Sequence, residues 1–280
     1  TSLKIWGRCP QAANSILVTR LWSGEQVIDF REVDILREND FTFVVEFNEL
    51  EAGKDYGFSA EYFDESSSKY TFATESESDT LHFVFGSCRY NHWDNIFQND
   101  AKEGDETYKE ILSLHKNDAL DALFLLGDQI YADPTLMVGV SQSFNDYVST
   151  YQEDFSYKNF QSLLKSVPTT MMLDDHEIRN NWCRDLLYEN SLLENRDEMY
   201  TNGIKAYECW QHQRNPQGEE GSYWYTMEKK GFPFFFMDIR TRRWQHPEKG
   251  LRRTTLGDAQ LSDFFDWLLS TKDKPVRFVG

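Results

Sequence analysis

The sequence predicts an α/β domain preceded by a small all-β domain, and three observations carry that reading. Six short runs rich in β-branched and aromatic residues fill residues 1–74. An acidic, serine-rich stretch follows them. From residue 81 onward, buried-type strands alternate with a helical pattern. That alternation marks a sheet with helices on its faces, where ligands gather beyond the carboxyl ends of the strands.

The N-terminal runs are "SLKIWGR", "SILVTRLW", "QVIDFREVDI", "DFTFVVEFNEL", "DYGFSAEYFD" and "KYTFATE". They recur about every 8–12 residues with Gly, Asn or Ser between them, the spacing of a small sandwich. Within them "LEAGKDYGF" resembles the corner of immunoglobulin/fibronectin-III-like domains, where a tyrosine locks a bend in the chain; here that would be Tyr56. Such a unit packs or docks. Residues 75–80 ("ESESDT") lack apolar side chains and read as a linker.

Residues 81–280 change character. "LHFVFGS" (81–87), "LFLLGD" (123–128) and "VPTTMML" (167–173) read as buried strands, and so does "FPFFFM" (232–237). "ETYKEILSLHKNDALDA" (106–122) places Tyr108, Ile111, Leu112 and Leu114 on one helical face. The terminal "PVRFVG" reads as the start of another buried strand. The stretches 144–160 and 184–222 suit either a helical cap on the core or a substrate-contacting insertion.

Composition narrows the classes of function. With 21 Phe, 14 Tyr and 8 Trp the chain has ample material for packed cores. A net charge of −18 repels phosphate backbones, so nucleic-acid binding is not expected. The four cysteines, Cys9, Cys88, Cys183 and Cys209, are too scattered for a disulfide scaffold or a zinc finger. No apolar run approaches the ~20 residues that span a bilayer. No signal-peptide pattern is visible, and the compartment stays open.

The polar clusters all fall just after strands. Cys88 follows the first, and is either a buried core thiol or a thiolate ligand beside a cation. In "LFLLGDQIYADP", Asp128 either caps the next segment or bridges cations. Three residues on, Tyr131 could bring a phenol back toward it. In "MLDDHEIRNNW" (172–182), Asp174, Asp175, His176 and Glu177 are contiguous. Like charges at that density are tolerable when cations neutralise them, and Asp, Asn and His supply suitable ligands or a proton donor. "FPFFFMDIRTRRW" delivers Asp238 and arginines 240, 242 and 243, matched either to phosphate oxygens or to surface carboxylates.

In that order and spacing, "FGSCR", "LGDQIYAD", "LDDHEIRNNW", "MDIRTRR" and "LGDAQLSDFFDWL" resemble the alkaline phosphatase D (PhoD-like) family of metallophosphoesterases. "GDxxY" is shared with purple acid phosphatases, in which the tyrosine binds ferric iron. The resemblance implies a four-layer αββα sandwich behind an N-terminal immunoglobulin-like domain, and a small phosphomonoester or phosphodiester substrate. It implies Fe3+ and Ca2+ as cofactors. Cys88, Asp128 and Tyr131 would hold iron, and Asp175 with Asn180 would serve the calcium side. Asp175 and His176 would be catalytic, and Arg240 and Asn181 would meet the substrate, with His92 a weaker candidate. Family members continue with further Asp and His ligands, so the resemblance also implies an incomplete catalytic domain in residues 81–280. Residues 1–280 alone are then expected to turn over poorly. The alternative is a non-catalytic, cation-stabilised binding protein on the same scaffold.

Overall fold

In the computed structural model, the described residues are 1–63, 65–76, 78–90, 103–133, 140–183, 195–219, 221–245 and 253–280. The chain divides into two compact units, Thr1–Thr80 and Leu81–Gly280. All six N-terminal runs become strands: β1 (Leu3–Arg8), β2 (Ser15–Ser23), β3 (Gln26–Ile35), β4 (Thr42–Phe47), β5 (Asp55–Tyr62) and β7 (Tyr70–Ala73), with a short β6 (Glu65–Ser66) between the last two. β1 pairs antiparallel with β4. The order β3-β2-β5-β6, with β7 also on β5, makes the other sheet. Alternation along the strands points Leu17, Leu21, Phe43, Val45, Phe47, Tyr56 and Phe58 into one shared core. The Tyr56 hydroxyl accepts the Glu51 N–H at 3.1 Å, which ties the bend to the strand that follows it.

In the second unit, β8 (Phe83–Gly86), β9 (Ala122–Leu125) and β10 (Thr169–Met171) form a parallel sheet in the order β10-β9-β8. β11 (Tyr225–Lys229), β12 (Phe232–Phe236) and β13 (Phe278–Val279) form a mixed sheet, with β11 antiparallel and β13 parallel to β12. The sheets meet through Ala122, Phe124, Tyr225, Phe234 and Phe236. Leu123 and Leu125 point to the opposite face of β9 and are buried as well. α5 (Gly257–Ser270) covers the outer face of β12 by setting Trp267 against Phe235. This is the sheet-on-sheet centre that a four-layer sandwich requires.

The helix read at 106–122 is α1 (Glu103–Asn117). It stops early because His115 Nδ1 takes the Leu120 N–H at 3.1 Å and turns the chain toward β9. The stretch 144–160 is helical, forming α2 (Phe144–Asp154) and the start of α3 (Lys158–Ser166); α4 (Arg196–Trp210) lies within 184–222. The terminal stretch forms β13: Phe278 and Val279 pair parallel with Phe234 and Phe235, and Gly280 continues the ladder, its N–H donating to Phe235 O and its carbonyl accepting the Met237 N–H, both at 2.9 Å. No helix among the described residues is long and apolar enough to cross a membrane.

Candidate metal centre

Three loops leave the carboxyl ends of β8, β9 and β10 and meet. Backbone bonds zip the first two together: Cys88 N–H donates to Gly127 O at 3.1 Å and Arg89 N–H to Asp128 O at 2.8 Å. Gly127 has φ +100°, and a Cβ there would lie 2.4 Å from Asp174 Cβ. Glycine is thus what lets the β9 and β10 loops close on each other. Cys88 and Asp128 are left-handed as well, with φ 57° and 55°. That conformation costs a non-glycine residue roughly 1–2 kcal/mol and persists where surrounding bonds over-determine it.

These turns bring the expected donors together. Asp128 Oδ1 accepts the His176 N–H at 3.1 Å, and its Oδ2 accepts from Cys88 Sγ at 3.4 Å. The Tyr131 phenol lies close enough to Cys88 and Asp128 for both to act on its charge. The Tyr131 ring lies against the His176 imidazole with centroids 4.2 Å apart. Asp128, Asp175 and His176 each offer one ligand atom, all within 4.8 Å of one another.

The acidic run resolves into separate assignments, and this revises the idea that its density requires a cation throughout. Glu177 is fully buried and turns inward. Its Oε2 accepts the N–H groups of Asp128 (3.1 Å) and Asp174 (2.9 Å), and its Oε1 accepts Gln129 N–H (2.7 Å) and Gln211 Nε2 (3.1 Å). It clamps the loops from below. Asp174 and Asp175 share the Arg240 guanidinium, through Nε at 2.5 Å and Nη2 at 3.0 Å respectively. Asp238 aims that arginine. Its Oδ1 accepts the Arg240 and Thr241 N–H groups at 2.9 and 2.8 Å, and Gln260 of α5 accepts the Asp238 N–H at 2.7 Å. Only Asp175 and His176 of the run face Asp128 as potential ligands.

Asp133 was not singled out in the sequence, although it closes "LGDQIYAD". Its Oδ1 lies 2.7 Å from His176 Nδ1, and its Oδ2 accepts the Asn180 N–H. The Asn181 N–H donates to Asp175 Oδ2 at 2.6 Å. Asn180 and Asn181 are exposed, so their backbone amides, rather than their side-chain amides, grip the acids. Arg240 is buried on Asp174 and Asp175 rather than displayed to solvent. His92 lies outside the described residues.

Electrostatically, the site favours the neutral forms of Asp128, Tyr131, Cys88 and Glu177. Burial, assisted by Asp174 and Asp175, pushes the Asp128 carboxyl up, although the His176 N–H opposes it. Burial, Asp128 and Cys88 push the Tyr131 phenol up. At Cys88 the Ser87 hydroxyl pulls the thiol down, but burial and Asp128 together raise it. Burial raises Glu177 to about 7, and Asp128 adds to the effect. Burial pulls His176 down, yet its bond with Asp133 holds the imidazole above its ordinary value.

The family model of PhoD-like phosphatases matches residues 83–279. The chain belongs to the PhoD-like phosphatase family. A structure described as that of PhoD superposes on this PhoD-like chain with a TM-score of 0.72 at 19 % identity. The match covers 95 % of this chain and 57 % of that one. A purple acid phosphatase isolated from yellow lupin (Lupinus luteus) seeds gives a TM-score of 0.59 at 15 % identity, covering 94 % of this chain and 45 % of that one. At such identities the likeness is one of fold, and this PhoD-like chain spans a little more than half the length of the first structure and a little less than half of the second. No curated protein sequence matches it significantly.

Metal ions are implied for a PhoD-like phosphatase, and the residues fit them. Carboxylate and imidazole atoms converge within 4.8 Å at Asp128, Asp175 and His176. A thiol and a phenol border them, and such oxygen, nitrogen and sulfur donors are those that hard and borderline cations take. Crowded acids held toward their neutral forms are also the groups that a cation would return to their ionised state.

Proposed function

We propose that this PhoD-like chain is the metal-binding part of a hydrolase that cleaves phosphomonoesters or phosphodiesters. The observation that carries the reading is the convergence of Asp128, Asp175 and His176, with Cys88 and Tyr131 alongside. Ferric iron held by Cys88, Asp128 and Tyr131, and calcium held with Asp175 and Asn180, would polarise the phosphoryl oxygens and activate a water. The chain's own residues supply the rest. Asp133 engages Nδ1 of His176, which leaves the other ring nitrogen for a single task; we read that task as delivering a proton to the departing alkoxide, with metal ligation left to the carboxylates, thiol, phenol and Asn180. Arg240 and the Asn181 N–H fix both oxygens of Asp175, so this carboxylate meets its ligand in one orientation. Remaining N–H capacity on Arg240 and the exposed amide of Asn181 are read as phosphate contacts. The acidic surface disfavours polyanionic partners. The Tyr56–Glu51 bond supports an immunoglobulin/fibronectin-III-like reading of residues 1–74 as an accessory domain.

The test is Asp128→Asn in the full-length protein. Turnover of p-nitrophenyl phosphate and of its bis ester should disappear, and the metal content measured by elemental analysis should fall, with the circular dichroism of the fold retained. Near-normal rates in that folded variant would remove Asp128 from the reaction. Wild-type protein that binds metal but hydrolyses neither ester would favour a non-catalytic, cation-stabilised binding protein.

A further inference from the structure

Arg89 directly follows Cys88, and none of the chemistry above uses it. The residue is 6 % exposed. Its Nη1 donates to Gln129 O at 3.3 Å, in the loop that carries Asp128, and its Nη2 donates to Asp154 O. Asp154 closes α2, so that carbonyl is one of the acceptors a helix leaves unbonded at its C-terminus, where a cation is favoured. The guanidinium carbon stands 4.0 Å from the ring centroid of Phe160 in α3, 5.3 Å from that of Tyr157, and 5.7 Å from that of Tyr108 in α1. One side chain thus joins the β9 loop to three helices.

Burying a guanidinium is expensive, and an apolar side chain of similar volume would fill the same space at lower cost. Arginine provides what such a filler cannot, namely two directed bonds to carbonyls on different elements. Its own backbone N–H is already pinned to Asp128 O. With both ends of Arg89 held, the preceding residue has little freedom. That residue is Cys88, whose left-handed backbone must be imposed from outside.

We propose that Arg89 is a positioning residue for Cys88. By anchoring the β8 loop to Gln129 and Asp154, it imposes the backbone turn that keeps the thiol sulfur against Asp128. The consequence for metal binding rests on the proposed role of Cys88 as a ligand; the positioning itself rests on the geometry alone.

The experiment measures alkylation of Cys88 by iodoacetamide in the metal-stripped full-length protein, site by site by mass spectrometry. Buried Cys183 and Cys209 serve as reporters of general loosening. In Arg89→Met, Cys88 should react several-fold faster while Cys183 and Cys209 stay protected. Metal affinity on reloading should fall about 10–100-fold, the usual effect of losing an outer partner. Arg89→Lys, which keeps the charge but cannot fork to two carbonyls, should fall between Arg89→Met and wild type. Wild-type reactivity at Cys88 in folded Arg89→Met overturns the proposal, and so does a common acceleration at all three cysteines. Should Arg89→Met fail to fold, Arg89→Lys decides: a shift at Cys88 alone supports the proposal and wild-type behaviour overturns it. Lack of phosphoester turnover in wild-type protein would remove the functional reading and leave the thiol result standing.

Discussion

Glu177 and Asp175 sit two positions apart, yet one carboxylate clamps backbone N–H groups from below and the other faces Asp128. The sequence displays the density of the acidic run but not its division. That division depends on Arg240, 66 residues from Asp174, and on the Asp128 loop, 48 residues from His176. Asp133 escaped notice for the same reason. Its position in "LGDQIYAD" is visible, but its partner His176 lies 43 residues away. That pair gives the prediction at this scale. Asp133→Asn keeps the shape but removes the charge that orients and supports the imidazole. In the full-length protein kcat/KM for p-nitrophenyl phosphate should drop about 10–100-fold with metal content retained, as for other outer-shell partners. Steady-state rates with parallel elemental analysis check it, and an unchanged rate would detach Asp133 from the reaction.

Elements were far more legible than their partners. Strand periodicity identifies the β runs because each strand has its own alternation, whereas pairing order depends on which hydrophobic faces meet after folding. The early stop of α1 arises from such a loop-specific contact, the Leu120 N–H on His115 Nδ1. α2 shows the opposite case, with its start written locally. Ser143 Oγ accepts the Asp146 N–H at 3.2 Å, and Asp146 Oδ2 accepts the Ser143 N–H at 2.9 Å. This reciprocal cap begins the helix whose last carbonyl receives Arg89. Ser143→Ala should cost about 1 kcal/mol in a urea melt at neutral pH. The Ser143 N–H holds the Asp146 carboxyl below its ordinary value, so its contribution is present above the unfolded carboxylate value and fades as pH falls through the folded one. The stability gap between wild type and Asp146→Ala should therefore close in acid, below about pH 4. A gap that stays constant across that range would mean the carboxylate charge plays no part in the cap.

At the scale of the whole molecule, each of the two compact units has a packed core of its own. One is built from Leu17, Leu21, Phe43, Phe47, Tyr56 and Phe58, and another from Phe124, Phe234 and Phe236 behind the candidate site. Separate cores lead us to expect separate cooperative units, and the net charge of −18 leaves each of them to be stabilised by packing against its own self-repulsion. Phe47 is the place to test this. It is fully buried, pairs across to Leu3, and lies 5.2 Å beneath the Arg31 guanidinium. Truncating such a ring costs about 3–5 kcal/mol, a large share of the stability of a small domain. Phe47→Ala in the full-length protein should therefore shift one calorimetric transition downward by many degrees. The transition that follows loss of bound metal, and the metal content itself, should not move. Shifts distant from each other and sharing no partners add independently, so a coupled fall of both transitions would show that the two cores stand or fall together.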